Sequence, residues 1–206
     1  MQTPPLDASP AAHGTGAASD WIRRWSHLVP VNGQVLDLAC GHGRHVRWFA
    51  ARGHAMVGVD KAADALRSLE DLRAGGQVRT VLADVENGPW PLMDQGAPQR
   101  FAAVVVTNYL WRPLLPTVVQ SLASGGVLLY ETFAHGNAEL GKPSRPDFLL
   151  QPGELLRVCA GLRIVAFEDG FCTQPDRFVQ RIVAVREYPA PAGDAAPGSA
   201  TTRYPL

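Results

Sequence analysis

The sequence lacks an excess of charge of either sign, a long apolar run and a secretory signal. Its 19 basic and 19 acidic residues cancel, and the isoelectric point is near 7.0. A neutral chain has no global field that would recruit nucleic acid or an anionic membrane. No apolar run approaches the roughly 18 residues of a membrane helix, and the N-terminus lacks the basic and apolar regions of a signal peptide. These absences predict a cytoplasmic protein and argue against nucleic acid and membranes as partners.

Cysteine and lysine are also scarce. Cys40, Cys159 and Cys172 form no Cys-x-x-Cys pair and have no metal-ligand spacing, so they predict neither a disulfide framework nor a metal site, and they fit a reducing compartment. Lys61 and Lys142 are the only lysines. The other 17 basic residues are arginines spread along the whole chain. That spread favours a compositional bias over a dedicated anion-binding surface.

With 206 residues, of which 46% are hydrophobic, the chain has room for one full domain and can bury a core. Residues 1–18 and 189–206 are rich in Pro, Gly and Ala and contain few large aliphatic side chains. We expect both to be mobile tails around a single domain at 19–188.

Within that domain, short apolar runs alternate with amphipathic segments, which predicts an α/β fold with a parallel sheet flanked by helices. The predicted strands are 34–39, 55–59, 78–83, 101–106, 127–132, 162–167 and 178–185. Helices are predicted at 20–28, at 44–52, around Leu66, Leu69 and Leu72, up to Ala123 and at 153–159. The expected architecture is a Rossmann-like, doubly wound domain whose seven-stranded sheet is mostly parallel, with its first five strands ordered three-two-one-four-five. Because only ten residues separate the last two strands, we expect 178–185 to insert antiparallel beside strand five.

A glycine turn follows the first predicted strand. Gly41 and Gly43 allow the backbone to approach a ligand closely, and the helix that begins at Arg44 offers unpaired N–H groups to negative charge. Asp60 ends the next strand, where a carboxylate can accept hydrogen bonds from both hydroxyls of a ribose. This arrangement predicts a nucleotide-like cofactor.

The spacing within the turn decides between cofactors. A nicotinamide or flavin dinucleotide fingerprint requires a third glycine at position 46, which is Val46 here. A turn with two glycines suits S-adenosylmethionine better, because that cofactor needs a cradle for its amino-acid part, a ribose carboxylate and an adenine partner. Asp84, with the backbone of the neighbouring Val85, can supply the adenine partner at the end of the third strand.

Residues 34–133 resemble the class I S-adenosylmethionine-dependent methyltransferases. The first three motifs of that class match 35–43 (VLDLACGHG), 57–60 (VGVD) and 82–85 (LADV). A finer resemblance, to the tellurite-resistance and thiopurine-type methyltransferases, rests on 40–44 (CGHGR), 51–54 (ARGH) and 152–156 (PGELL). Ala39 departs from the class, which often has glycine there, although a small side chain should still permit the turn.

The motifs and the resemblance together assign a set of cofactor-binding residues: Ala39, Gly41, His42, Gly43, Arg44, Asp60, Lys61, Asp84, Val85 and Thr107. Some of these residues have alternative interpretations. Arg44 either neutralises the cofactor carboxylate or points to water from the start of its helix. Asp84 either contacts adenine or caps a turn. His42 and His45 are interpreted as scaffold or solvent-facing groups rather than catalysts.

Thr107, Asn108 and Tyr109 follow the fourth predicted strand, where open sheets of this kind place their ligands. We therefore expect Asn108 and Tyr109 at the reaction centre, the alternative being that Tyr109 belongs to the core under the next helix. Methyltransferases acting on amino groups of bases or of protein glutamine carry an Asn/Asp-Pro-Pro-Tyr/Phe run at this point. Residues 108–111 (NYLW) lack those prolines, which argues against that substrate class.

Residues 133–151 contain no clear element and form a longer segment than a simple connection requires. We expect 134–151 to act as a lid in which His135, Lys142 and Arg145 close over an acceptor, with Arg145 as a catalytic-site residue. The near balance of charge in this segment leaves its anion-binding role open.

Three functions are consistent with these patterns. The favoured one is methyl transfer to a small molecule, such as a thiol, a chalcogen oxyanion or another anionic acceptor. The second is an RNA or protein methyltransferase, which a basic patch of Arg23, Arg24 and Arg47 would support. The third is a domain that binds S-adenosylmethionine without catalysis. The sequence determines neither the acceptor nor the oligomeric state.

Overall fold

Six α-helices and nine strands are present in residues 16–189 and 202–206, the part of the chain that the computed structural model describes. The helices are α1 (Asp20–Trp25), α2 (Arg44–Ala50), α3 (Ala63–Arg67), α4 (Glu70–Ala74), α5 (Leu115–Gln120) and α6 (Glu154–Val158). The strands are β1 (Val35–Leu38), β2 (Met56–Asp60), β3 (Val78–Leu82), β4 (Met93–Asp94), β5 (Ala97–Pro98), β6 (Phe101–Thr107), β7 (Leu122–Phe133), β8 (Arg163–Cys172) and β9 (Arg177–Val185). Short 3-10 helices lie at Ser26–Leu28, Arg112–Leu114, Asn137–Glu139 and Pro146–Phe148.

Seven of these strands form one sheet in the order β3-β2-β1-β6-β7-β9-β8. The first five in this order are parallel, whereas β9 runs antiparallel to both β7 and β8. The predicted Rossmann-like fold class is therefore confirmed. The strand order and the antiparallel placement of the last strand beside the fifth are as predicted.

Two hydrophobic clusters cover the two faces of the sheet. Successive residues of a strand point to opposite faces, so Val35 packs with one cluster and Leu36 with the other. The cluster around Val35 contains side chains of α1 and α2, including Trp21, Trp25 and Phe49. The cluster around Leu36 contains side chains from α5 and α6. This two-layer burial explains why the central strands are almost continuously apolar.

The prediction of a helix up to Ala123 is wrong. Helix α5 ends at Gln120, and β7 already begins at Leu122, which pairs with Phe101. Gly125, expected to stop the helix, lies inside the strand with φ +76°, and the register shifts between Phe101 and Ala103 on the partner strand. A glycine in the left-handed region permits this bulge, so the strand continues through it.

Three smaller features also differ from the prediction. The helix expected around Leu66 and Leu72 is two short helices, α3 and α4. The antiparallel pair β4 and β5 was not predicted; its turn contains Gln95 and Gly96, both with positive φ, which suits a two-residue hairpin. Strand β8 extends to Cys172, so the β8–β9 connection is shorter than the sequence suggested.

The predicted tails, 1–18 and 189–206, lie mainly outside the described residues. Of the C-terminal part, 202–206 is described, and Tyr204 packs against the cluster around Val35. The backbone oxygen of Pro205 lies 3.2 Å from Nε2 of His27. Tyr204 and Pro205 therefore contact the domain.

Candidate active site

The glycine turn after β1 requires left-handed backbone at three positions. Ala39, Gly41 and Gly43 have φ values of +54°, +53° and +76°. The Gly41 N–H donates a 2.8 Å hydrogen bond to Oδ2 of Asp60 at the end of β2. The turn is thereby fixed against the next strand, and the helix α2 starts directly after it.

Gly43 has a packing role that the sequence did not show. A Cβ atom at this position would lie 2.4 Å from Cδ2 of Leu69, which is fully buried. The glycine therefore lets the turn pack against the segment between α3 and α4. The contact with Leu69 and the positive φ are sufficient to explain why position 43 is a glycine, independently of any approach to a cofactor.

Two of the predicted carboxylates end neighbouring strands at the same edge of the sheet. Asp60 accepts the Gly41 N–H at Oδ2 and the Ala62 N–H at Oδ1, also at 2.8 Å. A carboxylate offers about four acceptor positions, so Asp60 can still accept hydrogen bonds from two ribose hydroxyls. The position and the remaining acceptor capacity of Asp60 are thus compatible with the predicted binding of a ribose.

Asp84 is a capping residue in this structure. Its carboxylate accepts hydrogen bonds from Asn87 Nδ2 (2.9 Å) and from the Glu86 N–H (3.0 Å). Both bonds lower the pKa of Asp84, and the bond from Asn87 has the larger effect. The carboxylate is exposed. Its contact with adenine stays a prediction, as does that of the half-buried Val85 beside it.

Tyr109 lies on the same side of the molecule as these carboxylates. Its hydroxyl is buried beside the Glu86 carboxylate. Burial raises the pKa of Tyr109, with a further contribution from the nearby Glu86 carboxylate. Glu86 also lies 3.9 Å from Lys61 Nζ. The charges of Asp84 and Asp60 also act on Tyr109, so these three residues lie near one another at this edge of the sheet.

A row of polar side chains lies on four adjacent strands, on the face covered by α1 and α2. We call it the polar row, and its members are Asp37 (β1), Thr107 (β6), Glu131 (β7) and Arg181 (β9). Thr107 pairs in register with Glu131, and Glu131 with Arg181. Asp37 and Glu131 are 1% and 0% exposed. Carboxylates buried to this extent are uncommon unless they are paired or functional.

Asp37 is the member of the polar row next to the glycine turn. Burial raises its pKa to about 8, while the nearby Arg44 lowers it. Its Oδ2 has no hydrogen-bond partner among the described residues, and Nδ1 of His45 is 4.0 Å away. An ammonium donor from a ligand would satisfy this oxygen, which fits the amino-acid part of S-adenosylmethionine.

His45 is a buried scaffold residue, one of the two roles that we expected for it. Its Nε2 accepts the Ser19 N–H at 3.2 Å, and its Nδ1 lies 3.5 Å from the Thr107 hydroxyl. Burial lowers the pKa of His45 to about 3, so the ring is neutral at physiological pH. His42 and Arg44 line a separate cleft of about 450 Å³, formed with Trp48 on the outer side of the turn.

A second cleft lies beyond the end of β6, and we call it the acceptor cleft. Its volume is about 320 Å³, and its lining residues are Asn108, Phe133, Asn137, Leu140, Gly141, Lys142, Pro175, Asp176 and Arg177. Two cationic side chains and one carboxylate therefore face it, with a net positive charge.

Asn108 and Tyr109, predicted together at the reaction centre, face different regions. Asn108 has φ +53°, and its backbone N–H donates a 3.0 Å hydrogen bond to the main-chain carbonyl oxygen of Glu131. This left-handed residue turns the chain, so that Asn108 lines the acceptor cleft while Tyr109 packs against the cluster around Leu36.

The predicted lid segment is anchored at several points. Its base is closed by an isolated bridge between Ala134 and Leu150. The buried side chain of Asn137 donates to the Pro143 oxygen and accepts the Phe178 N–H. Movement of this segment must break some of these bonds, and its closure stays a prediction.

Three lid residues have different surroundings. His135 is exposed, and Lys142 lines the acceptor cleft. Arg145 does not line it; the guanidinium pairs with Asp147 at 2.9 Å and lies over the Phe148 ring. A catalytic-site role for Arg145 therefore requires the segment to move.

Sequence reasoning missed Glu131, Arg177 and Arg181. The signal was present, because Glu131 and Arg181 interrupt strands that are otherwise apolar. A charged residue within a buried strand has to be paired. The two strands were already predicted to be antiparallel neighbours.

The described ranges contain neither a cluster of three His, Cys, Asp or Glu residues that could hold a metal ion nor a helix long and apolar enough to cross a membrane.

Comparison with protein families gives one match: residues 35–126 fit the model of the methyltransferase domain family. Among curated proteins, no sequence matches the chain. The matched range begins at β1 and ends inside β7, so it includes the glycine turn, Asp60 and Asp84.

Several solved structures share the fold. TehB from Haemophilus influenzae superimposes with a TM-score of 0.63 at 18% identity; the alignment covers 84% of this chain and only 63% of TehB. A TehB-like SAM-dependent methyltransferase from Corynebacterium glutamicum has a TM-score of 0.55 at 19% identity, with 81% and 87% of the two chains covered. The glycopeptide N-methyltransferase MtfA, solved with S-adenosylmethionine, has a TM-score of 0.57 at 20% identity, with 88% and 99% covered.

The family match and the shared topology support the resemblance found in the sequence: residues 35–126 match the methyltransferase domain family, and the chain has the fold that the TehB-like S-adenosylmethionine-dependent methyltransferases also have.

Proposed function

We propose that the protein is a cytoplasmic S-adenosylmethionine-dependent methyltransferase that acts on a small anionic nucleophile. The observation that carries the proposal is the junction of two sites at one edge of the sheet. Asp60, Asp84 and Tyr109 supply polar groups for the cofactor, and the acceptor cleft begins at Asn108, which adjoins Tyr109. The methyltransferase family match and the MtfA structure solved with S-adenosylmethionine support this choice of cofactor.

When bound, S-adenosylmethionine supplies a methyl group that its sulfonium charge already activates. In this chain, Asp37 would hold the cofactor ammonium and Asp60 the ribose hydroxyls. The raised pKa of Tyr109 keeps its hydroxyl protonated at neutral pH, so Tyr109 can donate a hydrogen bond but is not a general base. Holding the two reactants in line supplies most of the rate acceleration.

The charge of the acceptor cleft supports an anionic acceptor. Lys142 has no ion-pair partner among the described residues, and Arg177 lies 3.8 Å from Glu131, longer than a hydrogen bond. An oxyanion or thiolate bound there would arrive deprotonated and need no base. Free Cys40, Cys159 and Cys172 are consistent with the reducing compartment that the proposal assumes.

Cofactor binding is tested first. We expect S-adenosylmethionine and S-adenosylhomocysteine to bind in calorimetry and NAD not to bind. The variant Asp60→Ala should weaken binding by about 1.5–3 kcal/mol because charged hydrogen bonds to the ribose are lost. Asp64→Ala, an exposed carboxylate on α3, is the matched control. Binding of NAD alone would refute the choice of cofactor.

The acceptor class is tested by measuring S-adenosylhomocysteine production with thiols, chalcogen oxyanions, carboxylates, amines, RNA and protein. We expect turnover with anionic small molecules. Turnover of RNA or protein alone would favour the second function considered above. Binding of the cofactor with no turnover of any of these acceptors would favour a non-catalytic domain.

A further inference from the structure

Arg177 lies between the buried carboxylate of Glu131 and the acceptor cleft. It is the first residue of β9, its side chain is 21% exposed, and it lines the cleft directly. Its Nε is buried without a hydrogen-bond partner in the described part of the chain. One end of the Arg177 guanidinium therefore faces the Glu131 carboxylate, and its Nε–H is still free to donate a hydrogen bond.

Glu131 is already neutralised by another residue. Its Oε2 lies 2.6 Å from Nε of Arg181, and its Oε1 accepts the Ser19 hydroxyl at 2.7 Å. Arg177 approaches the same Oε2 at 3.8 Å. The close ion pair thus belongs to Arg181, and Arg177 is held by the field of Glu131 without being neutralised by it.

The neighbouring charges do not remove this excess. Arg181 also pairs with Glu168 at 3.1 Å, and Glu168 lies 3.9 Å from Arg24. Around the two carboxylates Glu131 and Glu168 there are consequently three guanidinium groups. At the cleft, Arg177 and Lys142 are joined by one carboxylate, Asp176, so the lining keeps a net positive charge.

From this arrangement we propose that Arg177 is the residue that binds the anionic group of the methyl acceptor, and that Glu131 is a positioning residue that holds Arg177 in place. A guanidinium presents a planar set of donors that matches a carboxylate or similar oxyanion. Fixing it against a fully buried carboxylate reduces the rotamer freedom that binding would otherwise have to restrict. The proposal rests on the proposed function, since it names a residue of that acceptor site.

The acceptor cleft also indicates that the anion belongs to a larger molecule. Its volume of about 320 Å³ equals that of roughly ten water molecules, far more than a small inorganic oxyanion fills. Phe133, Leu140 and Pro175 give it apolar wall. The acceptor class that matches both features is an organic acid with an apolar or aromatic body.

The experiment compares 2-mercaptobenzoate with thiophenol, two aromatic thiols that differ in the carboxylate. We expect the wild type to prefer 2-mercaptobenzoate in kcat/KM. Arg177→Met should lower kcat/KM for 2-mercaptobenzoate roughly 10- to 100-fold, the range of one charged hydrogen bond, mainly through KM, and leave thiophenol nearly unchanged. Arg157→Met, a surface arginine of α6, is the matched control.

Glu131→Gln should raise KM for 2-mercaptobenzoate while leaving S-adenosylhomocysteine affinity within about twofold. Glu168→Gln should change neither, because its side chain is 46% exposed and pairs with Arg181 rather than with Arg177. If Glu131→Gln does not fold, Arg177→Met and Arg177→Lys carry the test. Partial recovery of the preference in Arg177→Lys supports charge recognition by this residue. A preference that survives in Arg177→Met, or that is lost in Arg145→Met instead, overturns the proposal.

A readout without turnover separates this proposal from the proposed function. In the complex with S-adenosylhomocysteine, benzoate should shift the Arg177 side-chain Nε–H resonance in NMR, and Arg177→Met should abolish the saturable binding. A wild type that binds benzoate through Arg177 but methylates neither thiol would contradict the proposed activity on aromatic thiols and leave the anion site standing. Absence of a shift would overturn the anion site.

Discussion

The Ser19 hydroxyl donates a 2.7 Å hydrogen bond to Oε1 of Glu131, so the start of α1 is tied to a carboxylate at the carboxyl end of β7. The same hydroxyl accepts the Trp21 N–H at 3.2 Å as the N-cap of the helix. Ser19→Ala removes both bonds and leaves a buried carboxylate oxygen unpaired. We therefore expect the free energy of unfolding to fall by about 2–3 kcal/mol.

Urea unfolding of the two proteins measures this difference. Ser26→Ala is the control, because its hydroxyl bonds only the exposed Arg23 oxygen; it should change stability by less than about 0.5 kcal/mol. Equal effects of the two substitutions would contradict a special role for the Ser19 bond.

The backbone of Ala39 gives a second prediction. This alanine has φ +54°, a conformation that costs an L-residue roughly 1–2 kcal/mol. Ala39→Gly removes the strain but adds freedom to the unfolded chain, so we expect a net gain of about 0.5–1 kcal/mol. Ala74→Gly, in the exposed last turn of α4, should instead lose stability by up to about 1 kcal/mol. Thermal unfolding that ranks the two variants in the opposite order would show that the turn is not strained.

The contact between Gly43 and Leu69 gives a third prediction. Gly43 and Gly53 both have positive φ, but a Cβ atom at Gly43 would lie 2.4 Å from Leu69, whereas nothing lies within 4 Å at Gly53. Gly53→Ala should cost about 1 kcal/mol from backbone strain alone. Gly43→Ala should cost at least about 1 kcal/mol more, because the buried leucine must move. Adding Leu69→Ala should cancel part of the extra loss; additive losses in the double variant would contradict the contact.

Asp37 predicts a pH dependence. Its folded-state pKa of about 8 lies above the ordinary value of 3.8, so between these values the folded protein keeps a proton that the unfolded chain releases. The contribution of Asp37 to the free energy of unfolding therefore falls as pH rises through this window, by up to about 1.4 kcal/mol per pH unit. Asp37→Asn cannot lose this proton and removes the fall.

Urea unfolding of the cofactor-free protein at pH 5 and pH 8 tests this prediction. The wild type should lose more stability between the two values than Asp37→Asn does, since the other titrating groups are common to both. Parallel pH profiles would show that Asp37 is ionised in the folded protein throughout.

The strand order and the cofactor edge could be predicted from sequence because they depend on short, local signals. Apolar runs mark the strands, and Gly41 and Asp60 follow two of them directly. The acceptor side could not be predicted in the same way, because Arg177 and Glu131 approach each other only through the pairing of β7 with β9. Similarly, nothing near Asn108 in the sequence shows that its positive φ separates its side chain from that of Tyr109.

The position of β1 in the sheet has a consequence for folding kinetics. Its pairing with β2 is local, but its other neighbour is β6, and Val35 pairs with Ala103 at the middle of the chain. Contacts of such long sequence separation close late and slow folding, whereas the β8–β9 hairpin closes over a short loop. The polar row spans both sides of the β1–β6 junction. An N-terminal fragment that emerges first from the ribosome can therefore form the glycine turn, but Asp37 and Glu131 come to lie in one row only after the strands from the second half of the chain have been added.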